Sequence, residues 1–142
     1  MNYQNVIDYK LQMLIDLMMT DGVSPSDLAS NIFERDYVNI SFTKKNNLVI
    51  GKLEFYENGN LLQNIQMFYT YTLDRQLVEI EENIGGDRVV LWNRENREED
   101  LIKELLYIMS CCYDNEQIES FISTLPDILK KKVKYYLFSL SA

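Results

Sequence analysis

The hydrophobic period of the chain changes twice. Over residues 3 to 20, Val6, Ile7, Leu11, Leu14, Ile15 and Met18 recur at helical spacing, while Asn5, Asp8, Gln12 and Asp16 form a narrow polar stripe. That pattern predicts an amphipathic helix with a wide buried arc. Asp21-Gly22-Val23 ends it. Ser24-Pro25-Ser26-Asp27 then supplies an N-cap, a proline at the first helical position and an acidic third position. A short second helix through Leu28, Ala29, Ile32 and Phe33 is expected to complete a helical hairpin with the first.

From residue 37 the period becomes two. Val38, Ile40 and Phe42 alternate with Asn39, Ser41 and Thr43, as in a half-buried strand. Lys45-Asn46-Asn47 reads as a turn into a second strand, Leu48 to Glu57. Asn58-Gly59 is the strongest hairpin signal, since both residue types tolerate positive φ. In the next strand Ile65, Met67, Tyr69, Tyr71 and Leu73 point one way and Asn64, Gln66, Thr70 and Thr72 the other, interrupted by Phe68. Asp74-Arg75 turns into Gln76 to Glu82, and Gly85-Gly86 turns into Asp87 to Trp92. Consecutive strands joined by short turns imply an antiparallel meander of about five strands.

The last third returns to helix. Asn96 with Glu99 reads as a capping pair ahead of the stripe Leu101, Leu105, Ile108, Met109 and Cys112. Asp114 with Gln117 caps a shorter helix carrying Ile118, Phe121 and Ile122. Thr124, Pro126 and Asp127 open a final one with Leu129, Val133, Tyr136, Leu137 and Leu140 on its apolar side. The expected fold is α+β: a five-stranded meander with an N-terminal helical hairpin and C-terminal helices packed on one face, as a single domain over residues 1–142.

Composition narrows the chemistry. A 142-residue chain that is 46% hydrophobic can bury a substantial core. With 22 acidic and 14 basic residues the net charge is −8, which argues against a nucleic-acid or anionic-membrane surface. The absence of histidine removes His-based triads and His–metal sites. Asp8 and Asp16 interrupt the first apolar stretch, so it reads as neither a secretory signal nor a membrane span. Adjacent Cys111 and Cys112 are poor structural staples, which fits a reduced, cytoplasmic setting.

Two stretches resemble known families. LQMLIDLMMTDGVSPSDLASNIF is similar to the opening two helices of winged-helix DNA-binding domains, which would imply a DNA-binding regulator using residues 3 to 33. The recognition helix of that family would fall where ERDYVNISFT reads as strand, and the acidic excess of the segment opposes a DNA role. FYTYTLDRQLVEIEE looks like a single Tyr-Asp repeat of large secreted shells, present here in one copy without the turn glycine.

Each candidate site has a plain structural reading beside the chemical one. Glu79 and Glu81 share a strand face, with Glu82 and Asp74 nearby, and could serve a carboxylate-dependent enzyme or a divalent ion; a solvated edge or face that discourages sheet-to-sheet aggregation is the preferred account. Cys111 and Cys112 read as buried small hydrophobes. Lys130, Lys131, Lys132 and Lys134 form a basic run that reads as a solvated helix face. Gly85-Gly86 lacks the later glycine and lysine of a phosphate loop. The more suggestive set is Asn39, Ser41, Thr43, Gln66, Phe68, Thr70 and Thr72, joined by Asn64 and with Tyr56 nearby: a polar, uncharged sheet face with aromatic points, of the composition used at protein contacts. These features point to a non-catalytic protein-interaction module, a regulator, adaptor or inhibitor with no metal or cofactor. Its expected partner is a protein, with the acidic charge favouring a basic one, rather than nucleic acid or membrane, and an uncovered sheet face or edge would permit a homodimer.

Overall fold

The computed structural model describes residues 2–57 and 63–141, with side chains as far as residue 137. The elements run α1 Tyr3–Met19, α2 Pro25–Ser30, a 3-10 turn Asn31–Phe33, β1 Tyr37–Lys45, β2 Leu48–Tyr56, β3 Asn64–Thr72, β4 Leu77–Ile84, β5 Asp87–Asn93, α3 Arg94–Cys112, α4 Asn115–Ser123 and α5 Asp127–Ser141. The fold is α+β. The chain forms two compact units, Thr20–Glu95 and Met1–Met19 with Asn96–Ala142.

The first unit is the sheet. Five antiparallel strands lie in the order β1-β2-β3-β4-β5, each paired with its sequence neighbour. Asn46 and Asn47 (φ 51° and 63°) join the paired residues Lys45 and Leu48. Two left-handed residues make a turn whose twist matches that of the strands. Gly85 and Gly86 (φ 60° and 90°) do the same between Ile84 and Asp87. Asn58-Gly59 lies outside the described residues.

One face of the sheet carries the core of this unit. Leu28 of α2 packs with Leu53, Tyr71 and Leu77, all buried, and Met67, Tyr69, Ile80 and Trp92 close around them. Ser24 caps α2 by accepting from the Asp27 N–H at 3.1 Å. Hydrogen bonds to the Thr20, Asp21 and Val23 carbonyls hold the loop before α2. Leu77 N–H donates to the Asp21 carbonyl at 2.8 Å, and the Tyr71 hydroxyl donates to the Val23 carbonyl at 2.5 Å. Buried Arg94 donates to the Leu77 and Thr20 carbonyls at 2.7 and 2.8 Å.

Several expectations need correcting here. The second helix is shorter than its apolar pattern, because the chain tightens into the 3-10 turn after Ser30; Ile32 and Phe33 then face outwards, Phe33 at 90% exposure. Strand β1 is exposed along most of its length rather than half-buried, since an edge strand has a neighbour on one side alone. Leu73 lies beyond β3 and is exposed. The first two helices also contribute to different cores, Leu28 to the sheet and Ile7 and Leu14 to the second unit.

The second unit is helical. Ile7 and Leu14 of α1 join Leu101, Ile102, Leu105 and Met109 of α3, Ile118 and Ile122 of α4, and Leu129 and Val133 of α5 in one buried cluster. Asp114 and Gln117 form a reciprocal capping box on α4, at 2.8 and 3.0 Å. The Asn96–Glu99 cap is displaced: α3 starts at Arg94, directly from β5, so Asn96 falls inside its first turn. Among the described residues no helix is long and apolar enough to cross a membrane.

Candidate functional site

Antiparallel pairing puts directly opposed residues on the same face. The register therefore assigns the sheet's second face row by row. One row runs Asn39–Glu54–Gln66–Asn83–Arg88, the next Ser41–Lys52–Phe68–Glu81–Val90, and the third Thr43–Ile50–Thr70–Glu79–Asn93. Thr72 opposite Leu48 and Asn64 opposite Tyr56 extend the same face at its two ends. All seven residues of the candidate contact set thus lie on one face, away from α2. The Glu79–Glu81 pair lies on it as well, so two sets that the sequence kept apart are one surface. Glu82, opposite Met67, belongs to the other face, and Asp74 is exposed in the turn before β4.

The centre of this face is a depression of about 290 Å³ lined by Ser41, Thr43, Ile50, Lys52, Phe68, Thr70, Glu81 and Arg88. Phe68 forms its aromatic point. The Arg88 guanidinium carbon lies 4.5 Å from the Phe68 ring centroid, and its Nη2 donates to Glu81 at 2.8 Å. Arg88 is thereby held over the ring by a cation–π contact and an ion pair. Lys52 bonds Glu54 at 3.0 Å and holds that carboxyl below its usual range, against the opposing effect of partial burial. Asn83 donates to Gln66 at 3.1 Å. The face carries polar pairs along and across its strands around one ring.

Sequence reasoning missed Ile50, Lys52, Glu54, Asn83 and Arg88. The alternation of β2 carried a signal for Ile50, Lys52 and Glu54, but joining them to Phe68 requires the strand register. A larger recess, about 590 Å³, lies beside α2 and the β3–β4 turn; of the candidate set it takes in Thr72 alone.

The other candidates are dispersed. Cys111 is exposed and Cys112 half-buried, against the expectation that both fill the core. Successive helical residues point about 100° apart, so a stripe through Leu105, Ile108 and Cys112 leaves Cys111 outside it. The Cys112 thiol donates to the Ile108 carbonyl at 3.0 Å, and its partial burial raises its pKa. Lys132 leaves the expected solvated lysine face by pairing with Glu98 at 2.5 Å. Residues 37–45 are strand where the winged-helix resemblance requires a helix. Among the described residues no group of three or more Asp, Glu or Cys side chains could hold a metal ion.

Comparison of the chain with protein-family models, with curated proteins and with solved structures finds no match.

Proposed function

We propose that the protein is a non-catalytic protein-interaction module, a regulator, adaptor or inhibitor in the cytoplasm, that binds a basic protein partner through the polar face of its sheet. The observation that supports this reading is the depression that gathers Ser41, Thr43 and Thr70 beside Phe68, on the face that also carries Asn39, Gln66 and Thr72, with Arg88 over the ring. An aromatic side chain with a locked cation, ringed by short hydroxyl and amide side chains, offers rigid contact area at small entropic cost. The ionised side chains of the described rows include Glu54, Glu79 and Glu81 against Lys52 and Arg88, and the whole chain carries −8. Both favour a basic partner through steering of its approach.

The test is a photo-crosslinking residue at position 70, compared in the native cytoplasm with one at exposed position 116 on α4. The reading expects basic proteins captured at 70, absent at 116, and lost when Phe68→Ala and Arg88→Glu are added. Equal capture from both positions, or tight binding to mixed DNA or RNA at low salt, would refute it.

A further inference from the structure

We propose that the outer edge of β5 pairs antiparallel with β5 of a second copy of this chain, about a twofold axis through Val89. β5 is the last strand of the sheet, so among the described residues one side of its backbone has no strand neighbour. Its consecutive residues Val89, Val90 and Leu91 are each about half exposed, at 52%, 48% and 52%. Exposed sheet edges are commonly guarded by charge. β1 ends in Lys44 and Lys45. On β5 the one basic side chain, Arg88, is drawn off the edge onto Phe68 and Glu81, and Asp87 lies in the pair that closes the β4–β5 turn. The aliphatic run that follows carries no guard except the irregularity between its pairings with Ile80 and Glu81.

The pairing geometry follows from that turn. A two-residue turn closes on a hydrogen-bonded pair, here Ile84 and Asp87, and bonding then alternates along the strand. Asp87 and Val89 direct their backbone groups to β4, while Arg88 and Val90 direct theirs outwards. In a twofold pairing centred on Val89, Arg88 exchanges backbone bonds with Val90 of the other copy, and Val90 with its Arg88. Val89 then meets its own equivalent in a close, non-hydrogen-bonded pair, and Asp87 faces Leu91.

No like charges meet in this register. The exposed run Val89-Val90-Leu91 itself bears no charge, so it offers neither an acidic nor a basic protein a complement, whereas a second copy presents the same neutral aliphatic strip. The axis is perpendicular to the sheet. Both polar faces therefore fall on the same side and form one surface with two Phe68–Arg88 centres. This contact differs from the basic-partner site, and its salt response is opposite: two chains of −8 repel, so self-pairing strengthens as salt rises.

Sedimentation equilibrium of the full chain tests the proposal. The contact is short, so the expected monomer–dimer transition lies between about 10 μM and 1 mM. Val89→Lys and Val89→Glu should each weaken dimerisation at least about tenfold, and an equimolar mixture should restore a heterodimer, because the two residues face each other across the axis. Val90→Pro should abolish the dimer while leaving the monomer's melting curve unchanged, since it removes an N–H that points away from β4. A wild-type chain that stays monomeric at about 1 mM overturns the proposal, as does a Val89→Lys and Val89→Glu mixture that pairs no better than either variant alone. Loss of the dimer in Phe42→Pro with its retention in Val90→Pro would place the contact on β1 and equally overturn it.

Discussion

Glu98 of α3 and Lys132 of α5 meet at 2.5 Å, with the Glu98 residue 7% exposed and the Lys132 side chain 39% exposed. The buried carboxyl group is paired with an ammonium, while the lysine stem keeps its reach to solvent. Removing the cation strands the anion. Lys132→Met is expected to destabilise the fold by about 1–3 kcal/mol, a range discounted for the exposed partner. The neighbouring Lys131→Met should change stability by less than about 0.5 kcal/mol. Urea denaturation of the two variants checks this, and equal effects would show that the pair contributes nothing.

Gly22 is fixed by two separate constraints. Its φ is +84°, and a Cβ built on it would lie 2.9 Å from Cβ of buried Leu77. A left-handed conformation costs an L-residue about 1–2 kcal/mol, and the clash is with a strand side chain whose backbone donates to Asp21. Gly22→Ala is expected to cost about 2–4 kcal/mol in thermal unfolding, whereas Gly85→Ala, where a Cβ meets open space, should cost only the backbone part.

Alkaline pH provides a probe of the sheet core. Burial, with smaller contributions from Tyr69 and Asp27, pushes the Tyr71 hydroxyl up to about 12 from 10.0. The folded state therefore holds its proton where the unfolded state has released it. The stabilisation is complete below pH 10 and is lost as the pH rises through about 12, with a total of roughly 2–3 kcal/mol. Tyr71→Phe removes this slope together with the hydrogen bond to the Val23 carbonyl. Stability measured across pH 9 to 12 should fall less steeply in the variant; parallel curves would contradict the assignment.

The two cysteines should react at different rates with a thiol reagent. Cys111 is exposed, while Cys112 is half-buried, bonded to the Ile108 carbonyl, and has its pKa raised. Thiolate is the reacting form, so Cys111 is expected to label first and Cys112 at least about tenfold more slowly. Because adjacent side chains diverge on a helix, oxidation should give no bridge between them unless α3 unwinds.

What the sequence shows and what it hides divide along physical lines. Local signals are legible: Ser24-Pro25 starts α2, the Asp114–Gln117 box starts α4, and Gly85-Gly86 turns the last hairpin, each through contacts within a few residues. The alternation of polar residues along β1 and β3 likewise shows which of them share a side of their own strand. Register between strands is not legible, so Lys52, Glu81 and Arg88 remain unconnected to Phe68 until pairing brings them together. Lys132 illustrates the same limit. Four lysines in five positions look solvated, and only the fold brings Glu98, 34 residues away in sequence, to one of them.

The polar face, finally, should behave as an electrostatically assisted protein contact. Phe68 supplies area and Arg88 is held in place by Glu81, so Phe68→Ala should weaken binding of any protein captured at position 70 by about tenfold or more. Arg88→Gln should weaken it less, since the ring remains. The charge of −8 acts over distance, and at physiological ionic strength it is screened within about 8 Å. Raising salt should therefore slow association much more than it speeds dissociation. The lysine run is the feature with the opposite sign. Lys130, Lys131 and Lys134 lie on α5, and a local basic patch can hold phosphate on an acidic protein. Mobility-shift assays with mixed DNA and RNA at low salt should show no tight complex. Tight nucleic-acid binding that disappears when Lys130, Lys131, Lys132 and Lys134 are replaced by glutamine would move the functional surface from the sheet to α5.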